Sequence, residues 1–191
     1  MRKLISKKDS EKKAKKMQLI GGSVLMLVML LSTIGYSLNV REKTNIEKIV
    51  YQDKTFVKEN GFWNLQIEDF KFSFLYSPKE VPVFDSEIDY LNQYDNVPVY
   101  VYSDNPDAIT ELTRNLVYNN KIVQRIQPAC LDEESCNGEY PIKTCEDRFI
   151  IIREANSSSL KQDNKCIFIS GKAENLIKLS DSFLLKIIGL Q

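Results

Sequence analysis

The stretch Met17–Leu38, MQLIGGSVLMLVMLLSTIGYSL, runs for 22 residues without a charge. No other feature of the chain restricts its fold as strongly. At about 1.5 Å per residue, a helix of that length reaches roughly 33 Å, enough to cross a hydrocarbon core of about 30 Å. Inside lipid every backbone polar group must be bonded within the segment, so a transmembrane helix is expected here. The stretch divides the chain into a basic tail at 1–16, a span at 17–38 that contacts membrane lipid, a polar stalk at 39–47 and a domain at 48–191.

The tail sets the expected orientation. Residues 1–16 carry eight cations and two anions, whereas residues 39–58 mix Arg41, Lys43, Lys48, Lys54 and Lys58 with Glu42, Glu47 and Asp53. The positive-inside bias then keeps the N-terminus in the cytoplasm and places the domain outside, behind a single-pass signal-anchor at the cell membrane. A cleaved signal peptide is the competing reading, since a basic segment followed by an apolar one suits both. Gly35-Tyr36-Ser37 fits a cleavage site only loosely, and the apolar stretch is longer than a signal peptide's hydrophobic region.

Charge and composition exclude several function classes. Beyond the tail, 18 cations face 24 anions, leaving residues 17–191 at −6. Phosphate contacts need a basic face, so neither nucleic acid nor anionic lipid is expected as the domain's partner. The chain has no histidine. That removes Ser-His-Asp and Cys-His nucleophile systems, histidine bases and the usual zinc sites. Catalysis would have to run on carboxylates, lysine, serine or tyrosine. Asp85, Glu87 and Asp89 suggest calcium, but the loop that binds it needs glycine at its sixth position and Tyr90 stands there. The turn before Pro106 lacks glycine and carries Asp104 and Asp107, which would repel phosphate. No metal and no cofactor are expected.

All four cysteines, Cys130, Cys136, Cys145 and Cys166, follow the span, and an even count outside the membrane reads as two disulfides. Their spacing holds no C-x2-C pair, which argues against zinc and against a thioredoxin-like motif. Four cysteines allow three pairings. If the strands at 121–127 and 165–170 are antiparallel neighbours, Cys130 meets Cys166, and Cys136 and Cys145 clip across Asn137-Gly138. A hairpin of 149–154 with 165–170 would put Arg153, not Cys145, opposite Cys166.

The domain's pattern predicts α+β. From Glu47 the period is two, with turns at Gln52-Asp53, Asn60-Gly61 and Glu68-Asp69, which reads as a meander of four short antiparallel strands. Phe70, Phe72, Phe74 and Tyr76 share one face. With Trp63 they invite a sugar-stacking reading, but aromatics on a single strand face are expected to fill a core. Residues 85–96 read as a solvated acidic loop with a helical turn or two. Val97–Tyr102 is a strand, and Asn105-Pro106 starts a helix, with Asn as N-cap and Pro in the first turn. Lys121–Gln127 returns as a strand, Phe149–Ile152 as a central one and Cys166–Ile169 as the last. Residues 155–164 read as an exposed loop that holds the one glycosylation acceptor pattern, Asn156-Ser157-Ser158. Residues 172–188 form an amphipathic helix closed by Gly189. The whole is expected to be a largely antiparallel sheet (β-meander plus β-α-β and a C-terminal β-α) with two packed helices.

The basic tail, the single span, the meander ending Phe74-Leu75-Tyr76-Ser77-Pro78-Lys79-Glu80-Val81, the segment Pro128-Ala129-Cys130-Leu131 and the terminal Cys166 strand and helix resemble a family of uncharacterised, single-span, membrane-anchored archaeal proteins of unknown function. The resemblance implies no activity and carries no functional residue. The function expected from the residues is a membrane-tethered, extracytoplasmic, non-enzymatic domain that binds a protein partner or serves structurally at the cell envelope. The alternatives are a carboxylate-based envelope hydrolase, or an accessory subunit of a larger membrane complex. The hydrolase would need two acidic groups facing each other roughly 5 to 9.5 Å apart. The accessory subunit would bring Gly21, Gly22 and Gly35 against neighbouring helices.

Overall fold

The computed structural model describes residues 7–39, 47–131 and 140–191. The chain divides into two compact units, residues 1–45 and residues 46–191. The first contains one long helix, α1 (Lys7–Asn39). Its stretch Lys15–Ser32 has a mean hydropathy of 1.3, and the helix is long and apolar enough to cross a membrane. Its large apolar side chains are exposed, Leu19 at 76% and Met29 at 72%. Most of the expected stalk, and Cys136, lie outside the described residues.

The second unit is mixed α and β, with two sheets rather than one. The first sheet is the expected meander: β1 (Lys48–Tyr51), β2 (Lys54–Glu59), β3 (Phe62–Ile67) and β4 (Phe70–Phe74), antiparallel in that order. Its turns are two residues long because their sequences tolerate positive φ: +46° and +60° at Gln52 and Asp53, +53° and +84° at Asn60 and Gly61. Cross-strand partners Ile49 and Phe56, Leu65 and Phe72, Trp63 and Phe74 lie on one face. Phe56, Trp63, Leu65, Phe72 and Phe74 are all buried there, so these aromatics are core.

The second sheet has the order β6-β5-β7-β9-β8, built from β5 (Pro98–Ser103), β6 (Arg125–Pro128), β7 (Phe149–Glu154), β8 (Ser159–Asp163) and β9 (Cys166–Gly171). Four of these strands are parallel and only β8 is antiparallel to its neighbour. The expectation of a largely antiparallel sheet is therefore corrected. Its error lay in treating 155–164 as a loop. Ser159–Asp163 shows a single buried apolar residue, Leu160, which is all an edge strand requires. β8 forms the hairpin with β9, β9 slots between β7 and β8, and β7 pairs with β9 in parallel.

Helix α2 (Pro106–Thr113) is capped by Asn105, whose side-chain oxygen accepts from the N–H groups of Asp107 and Ala108 at 2.9 and 3.3 Å. It runs on into a π-helical turn, Arg114–Tyr118. Helix α3 (Leu176–Ile187) follows a short 3-10 turn and ends at Gly189, φ +78°. There the N–H of Gly189 donates to Lys186 and that of Leu190 to Leu185, the paired bonds of a Schellman stop. Gly171 at the end of β9 lets Leu179 of α3 come close, since a Cβ there would overlap its Cδ1.

The parallel strands alternate cleanly between two faces. Val99, Val101, Ile150, Ile152, Ile167 and Ile169 join the main core with Leu112, Leu179 and Phe183 of the helices and the aromatics of the first sheet. On the other face Tyr100, Phe149, Ile151 and Cys166 form a second cluster with Ala129, Tyr102 and Cys145.

Candidate functional site

The disulfide belongs to that second face. Cys145 is bonded to Cys166, with 4.9 Å between Cα atoms. This overturns both expected pairings, Cys130–Cys166 and Cys136–Cys145. Two strands, β5 and β7, lie between β6 and β9, so the end of β6 is not beside the start of β9. Parallel pairing sets Phe149 beside Cys166, and the N–H of Lys165 donates to the carbonyl of Cys145 at 3.1 Å. The segment entering β7 is thus what meets the first residue of β9. Cys130 is also disulfide-bonded. Its N–H donates to Pro141 and its carbonyl accepts from Lys143, anchoring the segment across the sheet face. Lys143 Nζ lies 4.3 Å over the Tyr100 ring. Asn156 is exposed in the bend between β7 and β8.

A polar knot joins the first sheet to the helices. Asn115 in the π turn accepts the N–H of Ser73 at 2.7 Å and donates to its carbonyl at 3.0 Å. Asn120 treats Lys71 in the same way, at 2.7 and 3.0 Å. The π turn closes with Asn119 N–H on Arg114 O, a five-residue step, and both asparagines meet the free edge of β4. Behind them Glu111 of α2 and Asp181 of α3 are 2% and 0% exposed. Arg114 pairs with Glu111. Asp181 Oδ2 accepts the N–H of Tyr76 at 2.8 Å, while Oδ1 meets no donor. Burial and the neighbouring Glu111 carboxyl push the Asp181 carboxyl well above the usual range. These groups line none of the grooves described below, and sequence reading passed over them because each is a polar residue within an ordinary helical pattern.

The main groove lies elsewhere. After β4 the chain runs from Ser77 to Asn96 with one 3-10 turn, Leu91–Tyr94. Residues 83–90 run as a strap without regular secondary structure along a groove of about 1050 Å³, which Gln162, Asn164, Lys186 and Gln191 also line. Three bonds hold the strap: Ser182 Oγ to Pro82 O at 2.6 Å, Lys186 Nζ to Phe84 O at 2.8 Å, and Asp89 N–H to Gln162 Oε1 at 2.7 Å. Asp85 and Glu87 are exposed, and Asp89 pairs with Arg148. Burial raises the Asp89 carboxyl, but the Arg148 guanidinium outweighs it and holds the group below the usual carboxylate range. The expected helical turn is present at 91–94, and Asp85–Asp89 is an irregular segment with Asp85 and Glu87 exposed, as expected, that also lines the groove. Among the described residues no group of three His, Cys, Asp or Glu is placed to hold a metal ion.

No protein-family model, no curated protein and no solved structure matches this chain.

Proposed function

We propose that this is a membrane-tethered binding domain: α1 anchors it, the basic tail stays in the cytoplasm, and residues 46–191 are displayed outside at the cell envelope. The observation that carries the reading is a disulfide-bonded folded unit following an exposed apolar helix near the N-terminus. Binding rather than catalysis is favoured by the groove. Its carboxylates, Asp85, Glu87 and Asp89, come from one strap, whereas the remaining wall supplies amides and Lys186. Hydrolysis of a glycosidic bond needs two carboxyls on opposite sides of the substrate. A photo-crosslinking residue at Val83, which is 64% exposed beside the groove, tests the reading in intact cells carrying the full chain. Adducts with envelope components are expected. Adducts exclusively with cytoplasmic proteins would contradict it.

A further inference from the structure

β8 takes up Ser159–Asp163, which leaves residues 155–158 as the whole connection from β7. Asn156-Ser157-Ser158 lies inside it, with Asn156 and Ser157 in a bend and all three residues exposed. The N–H of Ala155 still reaches the Gly171 carbonyl at 2.7 Å, but no N–H of 156–158 has a backbone partner among the described residues. The bend itself asks only for small polar residues. The acceptor pattern asks for more: a non-proline in the middle and a hydroxyl two positions after the asparagine.

The asparagines of this domain divide by what their side chains do. Asn64, Asn105, Asn115, Asn119 and Asn120 tie theirs into the fold. Asn156 and Ser158 enter no such bond among the described residues, so the carboxamide and the hydroxyl are both free to meet an enzyme. There is also room. Asn156 borders a shallow depression of about 530 Å³ together with Glu154, Ala155, Lys172, Ala173 and Glu174. Glu154, Lys172 and Glu174 are exposed and pair with no other charged group among the described residues. A sugar on Asn156 therefore displaces no packed side chain, and its hydroxyls find polar ends beside it.

Resting on the reading that residues 46–191 are displayed outside the membrane, we propose that Asn156 is an N-glycosylation site, modified from a lipid-linked oligosaccharide donor. The Asn156 side-chain nitrogen bonds to the anomeric carbon of the donor sugar. The bond from that carbon to the donor's phosphate oxygen breaks, its electron pair leaves with the phosphate, and the nitrogen gives up one proton. The product is still a neutral amide, so no charge in the fold changes.

The test uses the full chain isolated from the membranes of cells that naturally produce it. Cleavage after Arg153 and Lys161 releases residues 154–161 as one peptide. Mass spectrometry is expected to find that peptide heavier by a whole number of sugar residues, with fragmentation placing them on Asn156. Asn156→Gln and Ser158→Ala, both at exposed side chains, should return the intact chain to its sequence mass, whereas Ser158→Thr should keep the added mass. A bare 154–161 peptide overturns the proposal. Reaction of Lys165 with a membrane-impermeant amine reagent on the same intact cells then tells whether the display outside falls with it or stands without the glycan. Added mass that survives Asn156→Gln, as sugar on a serine hydroxyl would, also overturns the proposal.

Discussion

Asn115 satisfies both backbone groups of Ser73, accepting its N–H at 2.7 Å and donating to its carbonyl at 3.0 Å, so that one helical side chain stands where a fifth strand of the first sheet would be. Asn115 is 0% exposed and Ser73 is 7% exposed. Removing the amide strands the buried Ser73 N–H, while its carbonyl keeps the Arg114 guanidinium at 3.3 Å. Asn115→Ala is therefore expected to cost roughly 1 to 3 kcal/mol, the cost of one orphaned buried group. Denaturant unfolding checks this, and a loss under about 0.5 kcal/mol, the size of a neutral surface change, would mean that water reaches the edge of β4.

The Glu111–Asp181 pair predicts an unusual pH dependence. Asp181 has a raised folded-state pKa, caused by burial and by the adjoining Glu111 carboxyl. The folded protein therefore keeps a proton that the unfolded chain, with an aspartate pKa near 3.9, gives up. This contribution to stability is complete below about pH 4 and is lost as pH rises from there through the raised value. Asp181→Asn keeps the acceptor for Tyr76 N–H and removes the titration. Its stability should fall less steeply with rising pH than that of the wild type. Parallel profiles would refute the raised Asp181 pKa.

Phe183 of α3 is 0% exposed, with its ring edge-on to Tyr94 at 6.2 Å between centroids. Phe183→Ala should destabilise the domain by about 3 to 5 kcal/mol. A loss below about 1 kcal/mol in denaturant unfolding would show that α3 is not packed on the sheet as described.

The disulfide closes a loop of 21 residues between Cys145 and Cys166. In the chain-entropy account a loop of that size contributes about 3 kcal/mol. Peptide mapping without reduction should give a Cys145–Cys166 product, and Cys145→Ser/Cys166→Ser should lower stability by about that amount. A Cys130–Cys166 or Cys136–Cys145 product would contradict the parallel register of β7 and β9.

The local elements were legible because each was written in local chemistry. Asn60-Gly61 fixed a hairpin, Asn105-Pro106 a helix start, Gly189 a helix end, and the alternation of Phe70, Phe72 and Phe74 a buried face. Strand direction was not legible. Nothing in Phe149–Ile152 distinguishes a parallel neighbour from an antiparallel one, and with direction wrong the cysteine pairing followed it. β8 escaped notice because an edge strand with only Leu160 buried resembles a loop. The groove was missed for a related reason: its lining residues Asp89 and Gln162, joined by one hydrogen bond, lie 73 residues apart in sequence.

Labelling with a membrane-impermeant amine reagent, in intact cells producing the full chain, measures which side of a membrane the folded unit and the basic tail occupy. Lys161, Lys165 and Lys172 of the folded unit and Lys12, Lys15 and Lys16 of the first helix are all exposed, so reactivity reports compartment rather than burial. With the proposed topology the first three are modified on intact cells and the second three only after permeabilisation, on a chain of full mass. Modification of the folded unit only after permeabilisation, or a mature chain beginning near Leu38, would contradict it.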